Sequence, residues 1–272
     1  MNAPAPLTLH LKETEMNRMK ETLRRGEIAY GSFCALKDPA IMEILGYAGF
    51  DFGIIDLEHS ALDLSGMEHF IRAAKVAGLT SIVRTPQMDF ATILRAVENG
   101  ADGVMIPHLM SRAMGEKVVG MAKYAPVGMR GIDGSTRVAK YGNVPMSEHM
   151  KEQNERVLII GMIEDREAVE DIDDILQTKG LDMLFIGAAD LSCSYGLPHQ
   201  VTHPTVREAI KRVFDRAART GMKVGVPAYD AKQALEVAEL GAGFITSPAV
   251  DTYHLTQTLK AHLQSVKAAF TR

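Results

Sequence analysis

Short apolar runs rich in β-branched residues alternate along this chain with longer stretches whose apolar residues recur at helical spacing. The runs are GSFCAL (31–36), DFGIID (51–56), SIVRT (81–85), GVMIP (103–107), VLIIGMIE (157–164), DMLFIG (182–187), KVGVPA (223–228) and GFITS (243–247). Apolar residues at consecutive positions mark strands buried on both faces. Helices are predicted over 39–48, 65–77, 88–98, 205–220 and 230–240, each followed closely by Gly49, Gly78, Gly100, Gly221 or Gly241. A glycine at that point accepts the left-handed backbone that ends many helices. Eight strand–helix units predict an α/β fold, a single (β/α)₈ TIM barrel. The repeat is too degenerate for a solenoid.

Two regions break this rhythm. The first dozen residues read as a loose arm, with Pro4 and Pro6 opposing early helix, and a charged helix is predicted over 13–25. The expected division is an N-terminal arm and helix, 1–26, and a barrel catalytic domain, 27–272. Residues 125–155, rich in Gly, Pro and polar groups, read as one long irregular stretch, which in a compact domain is usually functional or flexible.

Composition narrows the class. The 272 residues suit one barrel-sized domain, and 46% apolar with 24% charged residues is ordinary for a globular core. A net charge of -4 with scattered basic residues argues against nucleic acid as a partner. Cys34 and Cys193 form no CxxC pair and fit a reducing compartment. Nothing approaches the ~18 consecutive apolar residues of a membrane span. The N-terminus lacks the apolar core and cleavage site of a signal peptide, so a cytoplasmic enzyme is expected.

In a barrel of this kind, sites form at the C-terminal ends of the strands. There the second run ends in Asp56-Leu57-Glu58-His59, the third in Arg84 and the fourth in His108. The fifth ends in Glu164-Asp165-Arg166 and the sixth in Gly187-Ala188-Ala189-Asp190. Glu164 and Asp190, on adjacent strands, suit a Mg²⁺- or Mn²⁺-like ion, since two carboxylates leave positions for water and substrate oxygens. The same two acids could instead be separate, or paired with Arg84 or Arg166. Arg84 could grip a carboxylate or a developing oxyanion, or form an ion pair with Asp56, Glu58 or Glu164. His59 is the natural general base, with Asp56 or a carboxylate from the next helix to orient it. A rim histidine can also be merely hydrogen-bonded, and His108 is read mainly that way. Gly187 allows close approach, and the amides of Ala188 to Asp190 could hold a carboxylate. The methionines at 16, 19, 42, 67, 105, 121 and 183 read as core or filler.

Seven segments carry a resemblance: IIDLEHSALDL, SIVRTP, GADGVMIPHL, YAPVGMRGIDG, GMIEDREAVEDIDDIL, DMLFIGAADLSCSYG and HPTVREAI. Their order and spacing over most of residues 27–260 resemble the HpcH/HpaI family of class II pyruvate aldolases. The resemblance implies a (β/α)₈ barrel assembled as a hexamer whose subunits exchange a terminal helix. It implies a divalent cation (Mg²⁺, Mn²⁺ or Co²⁺) and reversible cleavage of 4-hydroxy-2-oxo acids to an aldehyde and a 2-oxo acid, pyruvate or oxaloacetate. Residue by residue, it assigns metal binding to Glu164 and Asp190, the base to His59 and the transition-state arginine to Arg84. Backbone contact with the pyruvate carboxylate falls to Ala189 and Asp190.

The chain departs from the family pattern at Met162, where glutamine is usual, and at Ala188, where proline is usual. Glu98 stands on the spacing of an aspartate that supports the base histidine, and the tail brings Ser247 and Pro248 near the eighth strand end. Rival readings are a citrate- or malyl-CoA-lyase-like or citrate-synthase-like enzyme of the same superfamily, and a non-catalytic 2-oxo-acid-binding barrel. A Schiff-base aldolase would need a partly buried lysine, for which Lys37 is the candidate.

Overall fold

A computed structural model describes residues 17–270. Its eight strands are β1 (Ala29–Cys34), β2 (Phe52–Asp56), β3 (Thr80–Arg84), β4 (Gly103–Ile106), β5 (Leu158–Ile163), β6 (Met183–Ile186), β7 (Lys223–Pro227) and β8 (Phe244–Val250). They are parallel and close in sequence order, β1 pairing with β8. The helices of the first half are α1 (Arg18–Arg24), α2 (Ala40–Ala48), α3 (Leu64–Val76), α4 (Phe90–Glu98), α5 (Arg112–Ala122) and α6 (Met146–Arg156). Those of the second half are α7 (Arg166–Glu170), α8 (Ile172–Ile175), α9 (Ala188–Ser194), α10 (Pro204–Thr220), α11 (Ala231–Glu239) and α12 (Asp251–Ala269).

The (β/α)₈ barrel predicted from the apolar runs is therefore the observed fold, with strand limits shifted by a few residues. Gly49 and Gly221 end α2 and α10 at φ 98° and 77°, the left-handed turn expected of them. Two apolar cores result. One lies between strands and helices; the other fills the barrel, where Phe33, Phe52, Phe185 and Phe244 pack edge-on or tilted. A Cβ on Gly31 would fall 2.3 Å from the Phe52 ring, so glycine is what lets that ring lie across the floor.

The helix predicted over 13–25 is seen as α1, capped by Asn17; residues 13–16, the arm and Met16 lie outside the described residues. Met19 of α1 is fully buried in the barrel interior and its N–H donates to Thr80 Oγ1 at 3.0 Å. The helix thus closes the N-terminal mouth of the barrel. The stretch 125–155 is only partly irregular, because α6 occupies its end. That helix escaped the apolar periodicity because the residues it buries, His149 and Gln153, are polar. At the other terminus, α12 leaves Leu255, Leu259, Leu263 and Val266 exposed, at spacings that align them on one face. Among the described residues no helix is long and apolar enough to cross a membrane.

Candidate active site

The β2–β3 register places Asp56 opposite Arg84 at the C-terminal rim. Both are buried, and the guanidinium forks the carboxylate: Nε donates to Oδ1 at 2.9 Å and Nη2 to Oδ2 at 2.7 Å. Nη1 lies 3.2 Å from Glu58 Oε2, and the guanidinium stacks 4.5 Å over the Phe33 ring. Asp56 Oδ1 also accepts the backbone N–H groups of Glu58 and His59, which fixes the turn leaving β2. Among the ion-pair partners open to Arg84, Asp56 and Glu58 are the ones it takes. One N–H on Nη1 and one on Nη2 remain for a bound oxygen.

His59 is exposed, and its Nε2 lies 3.7 Å from Glu58 Oε2. The carboxylate beside the imidazole is thus Glu58, while Asp56 is committed to Arg84. Burial raises the pKa of Glu58, with Arg84 and His59 opposing the shift. The sequence offers Glu58 as an ion-pair partner for Arg84; its place beside the histidine as well depends on the turn after β2.

Glu164 follows β5 and is buried. Its Oε1 accepts the His108 N–H at 2.8 Å. Burial pushes its pKa to about 7; His108 opposes this, and the negative charges of Asp190 and Glu58 add to it. Asp190, exposed in the first turn of α9, is close enough to be felt by Glu164. A Cβ on Gly187 would sit 2.3 Å from Glu164 Oε2. The missing side chain is the space the carboxylate occupies.

His108 does more than its sequence context suggested. It holds φ 51°, a left-handed value uncommon outside glycine, and in that conformation its N–H meets Glu164. Its Nδ1 lies 3.0 Å from Asp165 Oδ2 and 3.7 Å from Glu164 Oε1. Burial lowers the imidazole pKa, but the hydrogen bond to Asp165 and the charge of Glu164 outweigh it, and the net shift is upward.

Glu98 is not gathered into this group. It ends α4, which descends from the C-terminal end of β3 to the start of β4, so it belongs to the opposite half of the barrel. There it lines a cleft of about 480 Å³ with Arg95 and Arg137. Within one chain it does not support His59. Lys37 is exposed on the loop after β1 and lacks the burial that activates a Schiff-base lysine.

Among the described residues no cluster of three or more His, Cys, Asp or Glu could hold a metal. The pair Glu164 and Asp190 offers two oxygen ligands from the protein. It does fit a hard, octahedral cation that keeps most positions for water or substrate. A buried carboxylate with one N–H partner and a neighbouring carboxylate is what a dication would neutralise.

A closed parallel barrel with acids, an arginine and a histidine on its C-terminal rim defines a (β/α)₈ enzyme. The HpcH/HpaI aldolase/citrate lyase family model matches residues 29–258. The 5-keto-4-deoxy-D-glucarate aldolase of Shigella boydii is 31% identical over 229 residues, 84% of this chain and 88% of the relative. That of Escherichia coli is also 31% identical, over 84% of this chain and 89% of the relative. Among solved structures, an HpcH/HpaI aldolase from Desulfitobacterium hafniense is 34% identical with a TM-score of 0.85, covering 91% of this chain and 96% of that one. Citrate synthase SbnG is 30% identical with a TM-score of 0.86, covering 94% of this chain and 100% of that one. The chain belongs to the HpcH/HpaI aldolase/citrate lyase family and is an enzyme of the carbon–carbon lyase class.

Proposed function

We propose that this enzyme is a divalent-metal-dependent aldolase that cleaves or forms 4-hydroxy-2-oxo acids through the enolate of pyruvate. The observation that carries the reading is the buried Glu164 carboxylate, held by the His108 N–H beside Gly187 and Asp190. Glu164 and Asp190 would hold Mg²⁺, Mn²⁺ or Co²⁺. When bound, the cation supplies Lewis acidity that favours charge on the keto oxygen of the 2-oxo acid.

The chain's own groups do the rest. His59 takes the proton from the methyl carbon of pyruvate, and Glu58 beside Nε2 stabilises the imidazolium that results. Arg84, oriented by Asp56, turns its two remaining N–H groups to the oxygen on which charge develops. Amides at the start of α9, at Ala189 and Asp190, hold the carboxylate of the 2-oxo acid, approached across Gly187. The catalytic unit is the barrel from residue 27 onward. The exposed apolar face of α12 supports a hexamer whose subunits exchange this helix. Two free cysteines, Cys34 buried and Cys193 exposed, suit a cytoplasmic setting.

Exchange of pyruvate methyl protons with deuterated water, followed by NMR, tests the reading. Exchange is expected with added Mg²⁺, Mn²⁺ or Co²⁺ and is lost with chelator; its absence with all three ions defeats the proposal. The likeness to citrate synthase SbnG over 94% of the chain favours a second reading, a synthase acting on oxaloacetate. Citrate formation without aldol turnover would select it.

A further inference from the structure

The N-terminal half of the barrel, away from the acids of the candidate active site, carries a cleft of about 860 Å³ between the end of α3, the start of β4 and α6. Its charged lining residues are five cations and three acids. Arg18, Lys75, Arg137, Lys140 and Arg156 face Asp102, Glu148 and Glu152. Part of this charge is consumed inside the fold. Arg156 forks Asp102 Oδ1 with Nε at 3.1 Å and Nη2 at 2.5 Å, while Asp102 Oδ2 accepts the N–H and hydroxyl of Ser81. Arg18 reaches Asp51 at 3.7 Å and the Gly49 carbonyl at the end of α2. Lys75, Arg137 and Lys140 have no ion-pair partner within 4.0 Å among the described residues.

Two of those three converge. A Cβ on Gly100 would lie 3.3 Å from Arg137 Nη1 and 3.6 Å from Lys75 Nζ, so both cationic heads share the small space above that glycine. Desolvation by neighbouring residues pushes the Lys75 pKa down to about 8 although the residue is surface-exposed, and Arg156, Arg137 and Lys140 add to the shift against Asp102. No carboxylate lies within ion-pairing distance of Lys75 or Arg137 among the described residues, although Arg137 Nη1 donates to the Asn99 carbonyl.

The inner wall gives an independent observation. His149 lines the cleft and is buried, yet its Nε2 has no hydrogen-bond partner among the described protein atoms. Behind it Tyr124 meets the His149 ring edge-on and carries Arg130 stacked at 4.3 Å, with all three guanidinium nitrogens buried and unpaired. Buried polar atoms without partners are costly, and the unpartnered His149 nitrogen lies in the wall of a cleft whose Lys75 and Arg137 carry no ion pair.

We infer that this cleft is a second ligand site, binding a compact dianion whose oxygens lie between Lys75 and Arg137 with His149 at the inner wall. Paired oxygens on one small group are common to a phosphate and to a short dicarboxylate, and a guanidinium accommodates both. The site is separate from Glu164, Asp190 and Arg84, and it does not rest on the function proposed for them.

Titration calorimetry with inorganic phosphate and with succinate, at ionic strength matched by sodium chloride, tests the assignment. Wild-type protein is expected to bind one of these anions with a Kd of about 1 mM or tighter, and the anion that binds identifies the source. The Lys75→Gln/Arg137→Gln variant should weaken that binding about tenfold or more. Lys75→Gln alone, at an exposed position, should weaken it in the same direction should the double variant not fold. Failure of both anions to bind, or equal affinity in wild type and variants, overturns the assignment. Equal affinity would place any bound anion elsewhere, the Arg84 site included.

Discussion

Asp56 and Arg84 stand opposite each other on neighbouring strands and close a buried fork, at 2.9 Å and 2.7 Å, before any substrate arrives. The arginine is therefore both a structural partner and a candidate catalytic group. Arg84→Ala leaves the Asp56 carboxylate buried without its cation, a change that costs roughly 3–5 kcal/mol. Lost turnover in that variant alone would not isolate catalysis. Adding Asp56→Asn should restore much of the stability, measured by denaturant unfolding, without restoring pyruvate proton exchange. Recovery of exchange in the double variant would remove Arg84 from the chemistry.

How far this arrangement was legible in the sequence depends on the kind of contact. Barrel strands announce themselves as unbroken apolar runs, and the side chains just past those runs include Asp56, Arg84 and Glu164. The polar buried face of α6 gave no such signal. Nor could the partnership of His108 with Glu164 be seen, because it is made by a backbone N–H at positive φ rather than by a side-chain pattern. Glu98 was placed by motif spacing, and the chain carries it to the far end of α4, where spacing has no say.

The His59 side chain is exposed and its ion-pair neighbour is Glu58, while the bond to Asp56 is made by its backbone N–H, so truncating the side chain should leave the barrel undisturbed. As the general base, His59→Ala should slow exchange of the pyruvate methyl protons by roughly 10²–10⁴-fold. The unfolding midpoint should not move. An unchanged exchange rate would transfer the base to another group.

Glu164 gives a pH prediction with a definite sign. Folded, it holds its proton to about pH 7, whereas an unfolded glutamate releases it near 4.5. Between those values the folded state binds the extra proton, so the stability of the metal-free protein falls as pH rises through the window. Glu164→Gln removes that penalty. It should stabilise the metal-free protein by about 1–3 kcal/mol at pH 8 and leave it unchanged near pH 4. Saturating Mg²⁺ should reverse the order, since wild type alone gains the binding energy. A destabilised Gln variant at pH 8 without metal would contradict the assigned burial cost.

Gly187 leaves room for the Glu164 carboxylate by having no side chain, and this makes it a sharp probe of that ligand. A methyl group there would lie 2.3 Å from Glu164 Oε2 and 2.9 Å from its Cβ, closer than real contacts allow. The Gly187 N–H is itself tied to the Ile163 carbonyl, so the backbone cannot simply retreat, and the Glu164 carboxylate must move from its present position. Its φ of -83° is open to alanine, so the penalty is one of space and not of backbone strain. Gly187→Ala should therefore weaken divalent-cation binding by roughly 10–100-fold, the scale on which groups that orient ligands act. Calorimetry with Mn²⁺ reads this directly, independently of turnover. Full Mn²⁺ affinity in the alanine variant would mean that Glu164, as oriented in this fold, is not a ligand, and the metal would have to be sought at other carboxylates.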